Sequence, residues 1–373
     1  MIHRLSRRHF LQACTTAAIG AGIGGVETSM AQPGTAVREY RRGGMVYRRL
    51  GQTDLYVSLL SFGSHTDPAY KHPVGSEMVL NEEGQARRDR QVAHALDLGI
   101  NMIDTYESEG QWEPVARLVR PRRDKVLISL CRQFPQFVGD DIDKGAKLYG
   151  HVDMFRIYPG EGPQVDDRML EDWDVLRKAK EGGKVRAIGI STHNEALMVN
   201  ALQELEGLDY VMFPYNFIHA RAGYSQFLPA ATRKGIGLIT IKPLAAGSIV
   251  TLDPRARQGS KPQNARVELY ESTYRPVLPA VVAELTKSLK RLPDETLCQA
   301  ALRFIYRQPD ITSVLPGMFD DYMVDENYQA LTRYEQLSRE EASALSAAKS
   351  LAEIQGHRWL PPAYRWLHER WRA

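Results

Sequence analysis

The run Asp104-Thr105-Tyr106-Glu107-Ser108-Glu109-Gly110 sets two carboxylates, Asp104 and Glu109, around a tyrosine and directly after an apolar stretch. Such a pair suits proton transfer, because like charges resist joint ionisation and leave one group able to act as a general acid. Glu109 is the candidate for that role. Tyr158, closing the run 152–157, is a second possible donor, and Tyr106 stands close to Asp104. His65, just beyond Phe62-Gly63-Ser64, carries the ring that titrates nearest neutrality and can relay protons. Cys131 follows another apolar run with no base beside it in sequence, so packing is expected of it rather than nucleophilic attack.

Eight short apolar or β-branched runs must position these groups: residues 57–62, 101–103, 126–130, 152–157, 185–190, 210–213, 236–241 and 312–315. Amphipathic helical patterns separate them, among others at 88–97, 171–180, 195–205, 278–289 and 295–306. Continuous apolar strands alternating with helices indicate a parallel sheet covered by helices, and the length suits an α/β (β/α)8 TIM barrel. Its chemistry is expected at the carboxyl ends of the strands. Residues 45–50 and the turn 51–54 read as a hairpin plugging the opposite end. The insertion 65–84 carries His65, His72 and several acids without a ligand spacing typical of zinc or calcium, and is expected to be a solvated loop. The longest irregular stretch, 249–274, lies between the last two strands.

Ser6-Arg7-Arg8-His9-Phe10-Leu11, a weakly apolar stretch and Ser29-Met30-Ala31 follow one another in the order of a twin-arginine export signal. Residues 1–31 are therefore expected to be a targeting segment recognised by the twin-arginine machinery, and the mature chain to be periplasmic or secreted. Residues 32–44 would be a linker, 45–340 the barrel, and 341–373 a helical, aromatic extension whose Trp359, Trp366 and Trp371 pack on it. A formal charge of +3 on 48 basic and 45 acidic residues supplies no field for nucleic acid. No mature segment has the apolar length of a membrane span. Two mature cysteines, Cys131 and Cys298, cannot ligate an iron-sulfur cluster, and no metal is expected.

From residue 45 to about 331, the sequence resembles the aldo-keto reductase family. The resemblance rests on Tyr47-Arg48-Arg49-Leu50-Gly51, Ala95-Leu96-Asp97-Leu98-Gly99-Ile100-Asn101, Asp104-Thr105, Lys184-Val185-Arg186-Ala187-Ile188-Gly189-Ile190-Ser191, Lys242-Pro243-Leu244-Ala245-Ala246-Gly247 and Glu326-Asn327. It implies carbonyl reduction by a nicotinamide nucleotide, with a tyrosine as proton donor supported by a lysine, an aspartate and a histidine. Asp104 keeps the aspartate position. Glu109 stands for the tyrosine, Cys131 for the lysine and Tyr158 for the histidine, so the expected site has lost its cation.

The resemblance further implies cofactor contacts at Ser191, Thr192, Lys242, Leu244, Gly247, Gly317, Glu326 and Asn327, with Glu326-Asn327 opening the adenine-side helix. Thr192 and Met212 replace the usual asparagine and glutamine. Asp320 and Asp321 stand where a basic phosphate clamp is expected, so NAD is favoured over NADP. The expected activity is that of an exported oxidoreductase on a small carbonyl or sugar-like substrate with an altered acid/base set. A non-redox binding protein or pseudoenzyme, and a lyase or isomerase on the same barrel, are the alternatives.

Overall fold

The computed structural model describes residues 38–63, 65–74, 77–106, 110–132, 138–160, 162–217, 226–244, 283, 286–287 and 289–333. The export segment, Glu109, Gly247, the 249–274 stretch and the carboxyl-terminal tryptophans lie outside them.

The chain enters through an antiparallel sheet of β1 (Glu39–Arg42), β2 (Met45–Arg49) and β3 (Tyr56–Ser58), with Glu39 opposite Arg48 and Tyr47 opposite Ser58. The expected linker thus contributes a strand. It is fixed by Arg48, whose guanidinium bonds Glu39 at 2.8 Å and the carbonyls of Tyr306, Gln308 and Ile311. Leu50, Leu55 and Val57 from this sheet pack with Met102, Leu127, Met154 and Ile239, so the hairpin plugs the barrel as its apolar residues require.

A seven-stranded parallel sheet follows in chain order: β6 (Met102–Tyr106), β7 (Leu127–Arg132), β8 (Val152–Ile157), β9 (Val185–Ser191), β10 (Tyr210–Pro214), β11 (Gly237–Ile241) and β12 (Ser313–Leu315). The expected first strand, 57–62, is divided between two jobs. Its beginning pairs with the hairpin, while Leu60 bridges Val314 and Phe62 bridges Ile103, spanning the gap between β12 and β6. Backbone bonds from Ser61 to Val314 (2.9 Å) and from Phe62 to Met102 (3.0 Å) complete the eighth stave of the α/β barrel. Arg88 latches this seam: its guanidinium donates to the carbonyls of Gly63 and Met318 and lies 4.2 Å from the Phe62 ring centroid.

The helices are α1 (Glu82–Asp97), α2 (Trp112–Val119), α3 (Val138–Tyr149), α4 (Asp167–Glu181), α5 (Glu195–Glu204), α6 (Phe227–Lys234), α7 (Leu297–Tyr306) and α8 (Asp321–Thr332). Several begin where a polar side chain caps a free amide. Asn81 accepts from Gly84, Asp166 from Met169, Asn194 from Leu197 and Asp320 from Met323, and Thr296 with Gln299 forms a capping box. Each cap is worth about 1 kcal/mol. The Asn81 cap starts α1 six residues earlier than its apolar periodicity suggests, and Glu82 and Glu83 join its first turn, where the helix dipole favours carboxylates. The rest of the 65–84 insertion is not a plain loop either, for β4 (Lys71–Val74) and β5 (Glu77–Leu80) form a hairpin within it.

The strands are apolar on both faces because two separate cores need them. One core fills the barrel interior below the mouth, and the larger one lies between the strands and the helices. Among the described residues, no helix is long and apolar enough to cross a membrane.

Candidate active site

Side chains alternate along a strand, so Asp104 and Tyr106, Ser129 and Cys131, and Arg156 and Tyr158 each share a face. The parallel register aligns these strands: Asp104 lies opposite Ser129, Tyr106 opposite Cys131, and Cys131 opposite Arg156. The result is a polar cluster inside the barrel. Arg156 grips Asp104 with both terminal nitrogens, Nη1 to Oδ1 and Nη2 to Oδ2 at 3.0 Å. Ser129 Oγ donates to Asp104 Oδ1 at 2.7 Å and accepts from Arg156 Nη1 at 3.0 Å. Both charged side chains have no exposure at all.

The expected loss of a cation at Cys131 is therefore corrected by the fold, since a guanidinium from the next strand occupies the vicinity. Burial, the largest single influence, opposes the charge on Arg156, but the Asp104 carboxylate together with Cys131, Tyr106 and Tyr210 outweighs it and holds the guanidinium well above its ordinary pKa. Arg156 Nε makes no hydrogen bond among the described residues. Burial pushes the Cys131 thiol up to about 11, which leaves it a neutral packing group rather than a thiolate. Cys131 and Cys298 are both buried, and neither is in a disulfide among the described residues.

Above the pair, at the end of β6, the Tyr106 ring lies with Arg156 Cζ 5.2 Å from its centroid and is partly exposed. Burial pushes its phenol up to about 12, against the pull of Arg156. The exposed His65 ring meets Tyr106 edge-on at 5.5 Å. Tyr158, after the end of β8, has its hydroxyl 3.3 Å from His193 Nδ1, with the rings 5.9 Å apart. Three of the four expected catalytic residues, Asp104, Tyr158 and His65, thus stand on the strand ends and first loop of one barrel mouth; Glu109 is outside the described residues. Gly189, opposite both Arg156 and Tyr210, leaves room for the Tyr210 ring, because a Cβ there would come within 2.7 Å of it.

The sequence singles out neither Arg156 nor His193. An arginine inside the apolar strand Val-Asp-Met-Phe-Arg-Ile is the signal for the first, since arginine is almost never fully buried unless paired. His193 lies two residues after Ser191 and has no comparable mark.

The expected cofactor residues are spread along the same end of the barrel. Ser191 is nearly buried at the end of β9, and Thr192, fully buried, accepts from the Asn194 amide through its hydroxyl at 3.1 Å. Lys242 follows β11 with φ of 51°, a strained conformation for a residue with a side chain, and its carbonyl accepts from Asn216 at 3.1 Å. Leu244 is partly buried beyond it, and Gly317 is exposed after β12. Strained backbone beside a basic side chain at a barrel mouth fits a phosphate-bearing nucleotide, as does the Ser191 hydroxyl.

The adenine side differs from expectation. Helix α8 begins at Asp321, so Glu326 and Asn327 lie in its second turn, and Glu326 accepts from Thr296 of α7 at 2.7 Å. Asn327 is buried, and its carbonyl accepts from Tyr306. The basic residues missing from this segment arrive from α1: Arg87 and Arg90 share a groove of about 260 Å³ with Asp320, Asp321 and Tyr322.

The aldo/keto reductase family model matches residues 79–350. The chain belongs to the aldo/keto reductase family. A probable voltage-gated potassium channel subunit beta of Arabidopsis thaliana is 31% identical over 315 residues, 77% of this chain and 91% of that protein. L-galactose dehydrogenase of the same plant is 24% identical over 330 residues, 84% of this chain and 96% of the relative. Among solved structures, an aldo/keto reductase from Klebsiella pneumoniae in complex with NADP and acetate superimposes with a TM-score of 0.54 at 20% identity, covering 78% of this chain and 91% of that one. Relatives of this barrel thus include a named dehydrogenase and a named channel subunit.

Proposed function

We propose that this aldo/keto reductase family member is an exported oxidoreductase that reduces a small carbonyl or sugar-like substrate with an altered acid/base set. The observation that carries the reading is the Asp104–Arg156 pair at the carboxyl ends of β6 and β8. Two fully buried charges cost several kcal/mol each in desolvation, and apolar residues of similar volume would stabilise a barrel interior at least as well. Such a pair beneath the barrel end that bears Tyr106, Tyr158, His65 and His193 supports chemistry on a polar substrate.

A nicotinamide nucleotide, when bound, supplies the hydride; Ser191, Lys242 and the segment around Gly317 are the residues that would hold it. The chain's own part is to seat the carbonyl oxygen near a proton donor and to keep a compensating charge below it. Asp320 and Asp321 favour NAD, whereas Arg87 and Arg90 in the same groove draw the preference back. The two nucleotides are therefore expected to bind within about tenfold of each other, with NAD the tighter, a difference of about 1.4 kcal/mol or less. The export signal within residues 1–31 directs the chain through the twin-arginine route, and replacing Arg7 and Arg8 by lysine should retain the precursor in the cytoplasm.

Purification under native conditions, mass analysis of any released ligand and assay of a panel of small aldehydes and ketones with NADH and NADPH test the activity. Nucleotide-dependent reduction is the expected result. Protein that binds neither nucleotide and reduces nothing would instead be a binding protein, a class for which the 31% identical channel subunit gives a precedent by name.

A further inference from the structure

We infer that Tyr106 is the proton donor of this site, held at the barrel mouth over the Arg156–Asp104 pair. The inference rests on the oxidoreductase reading and goes beyond it in naming the group that donates the proton. Tyr106 is the last residue of β6 and is partly exposed, so a ligand in the mouth can reach it. Beneath it, Arg156 Cζ lies 5.2 Å from the ring centroid and is locked in place by both terminal nitrogens on Asp104. Tyr158 meets His193, whereas Tyr106 meets both His65 and the guanidinium of Arg156.

At neutral pH the phenol carries the proton to be donated. Burial, which pushes it up to about 12, makes it a weaker acid, and the Arg156 guanidinium beside it acts in the opposite direction by stabilising the phenolate. Where a bound reduced nucleotide would supply hydride to a carbonyl carbon, the π electron pair would move to the carbonyl oxygen. The Tyr106 O–H bond then breaks, its proton completes the alcohol, and the phenolate left behind sits beside Arg156. That cation cannot relax by losing its own proton, since Asp104 keeps it charged. Among the described residues the buried Nε–H of Arg156 has no acceptor, which leaves a donor for charge developing above it. His65, exposed and edge-on to the same ring, is placed to return a proton from solvent to the phenolate.

Two readouts test this. In ligand-free protein carrying ring-labelled tyrosine, the NMR resonance missing from Tyr106→Phe identifies Tyr106. Asp104→Asn removes a negative charge that raises its pKa, so the midpoint should fall by about one unit. An unmoved midpoint overturns the coupling. In turnover, Tyr106→Phe should lower carbonyl reduction by about 100-fold or more, with nucleotide affinity changed less than about threefold. Undiminished reduction by Tyr106→Phe, beside a Glu109→Gln protein that has lost it, overturns the inference and transfers the role to Glu109. Wild-type protein that reduces no carbonyl with either nucleotide overturns the oxidoreductase reading instead, and the titration then decides by itself whether Tyr106 answers to the pair beneath it.

Discussion

Two buried aspartates of β8's neighbourhood meet arginines, and they differ in what else those arginines do. Asp153, at the beginning of β8, accepts from the Ile128 amide at 2.9 Å, from Arg123 at 2.8 Å and from Arg186 at 3.0 Å. Arg123 in turn donates to the carbonyls of Val126, Tyr149 and His151. This cluster stitches backbone to backbone at the closed end of the barrel, and Arg186 keeps 37% of its side chain in solvent. Asp104 and Arg156, by contrast, are wholly dry; Arg156 bonds side chains, leaves Nε without a partner and lies under a partly exposed tyrosine. In a (β/α) barrel, stability belongs to the amino-terminal end of the strands and chemistry to the carboxyl end. The two clusters follow that division with the same pair of residue types.

The largest effect expected from breaking the contrast is at the dry pair. Arg156→Leu leaves Asp104 as an uncompensated buried charge and should cost about 3–5 kcal/mol, read as a lower urea midpoint. Arg123→Met should cost less, about 1–3 kcal/mol, because Arg186 stays on Asp153 while the three carbonyls lose a donor. Carbonyl reduction by that variant should remain within about threefold of wild type, since the closed end takes no part in the reaction. Greater loss of stability from Arg123→Met than from Arg156→Leu would reverse the ranking of the two clusters.

The smallest effect is alkaline. An unfolded tyrosine gives up its proton near its ordinary value of 10, whereas folded Tyr106 keeps it to about 12. Its contribution to stability is therefore complete below pH 10 and is lost as pH rises towards 12, because the unfolded state releases its proton first. Urea midpoints between pH 9 and 12 should decline, and less steeply in Tyr106→Phe than in wild type. An unchanged slope would mean that the phenol is not held as described.

Much of the frame is legible in the sequence, because its signals are local. Runs such as 185–190 and 210–213 are apolar on both faces, which only a sheet covered on both sides explains, and β9 and β10 form there. The early start of α1 is legible afterwards in Asn81, a cap that periodicity of apolar residues does not register. The site is less legible because its decisive contact is not local. Cys131 reads as a lost cation along the chain, and only the register of β7 against β8 shows Arg156 opposite it. The same holds for Arg87 and Arg90, brought to Asp320 and Asp321 by the packing of α1 against α8. Tyr106, two residues from Asp104, was within reach of strand parity alone.

The central claim is that Asp104 and Arg156 are kept for chemistry rather than for stability. The most direct measurement is the urea midpoint of the double replacement Asp104→Leu with Arg156→Met, set against wild type and Arg156→Leu. An apolar pair removes the buried charges together, so the double variant should unfold at or above the wild-type midpoint although the single variant unfolds well below it. A double variant as unstable as Arg156→Leu would contradict the account and make the pair a structural necessity of the barrel.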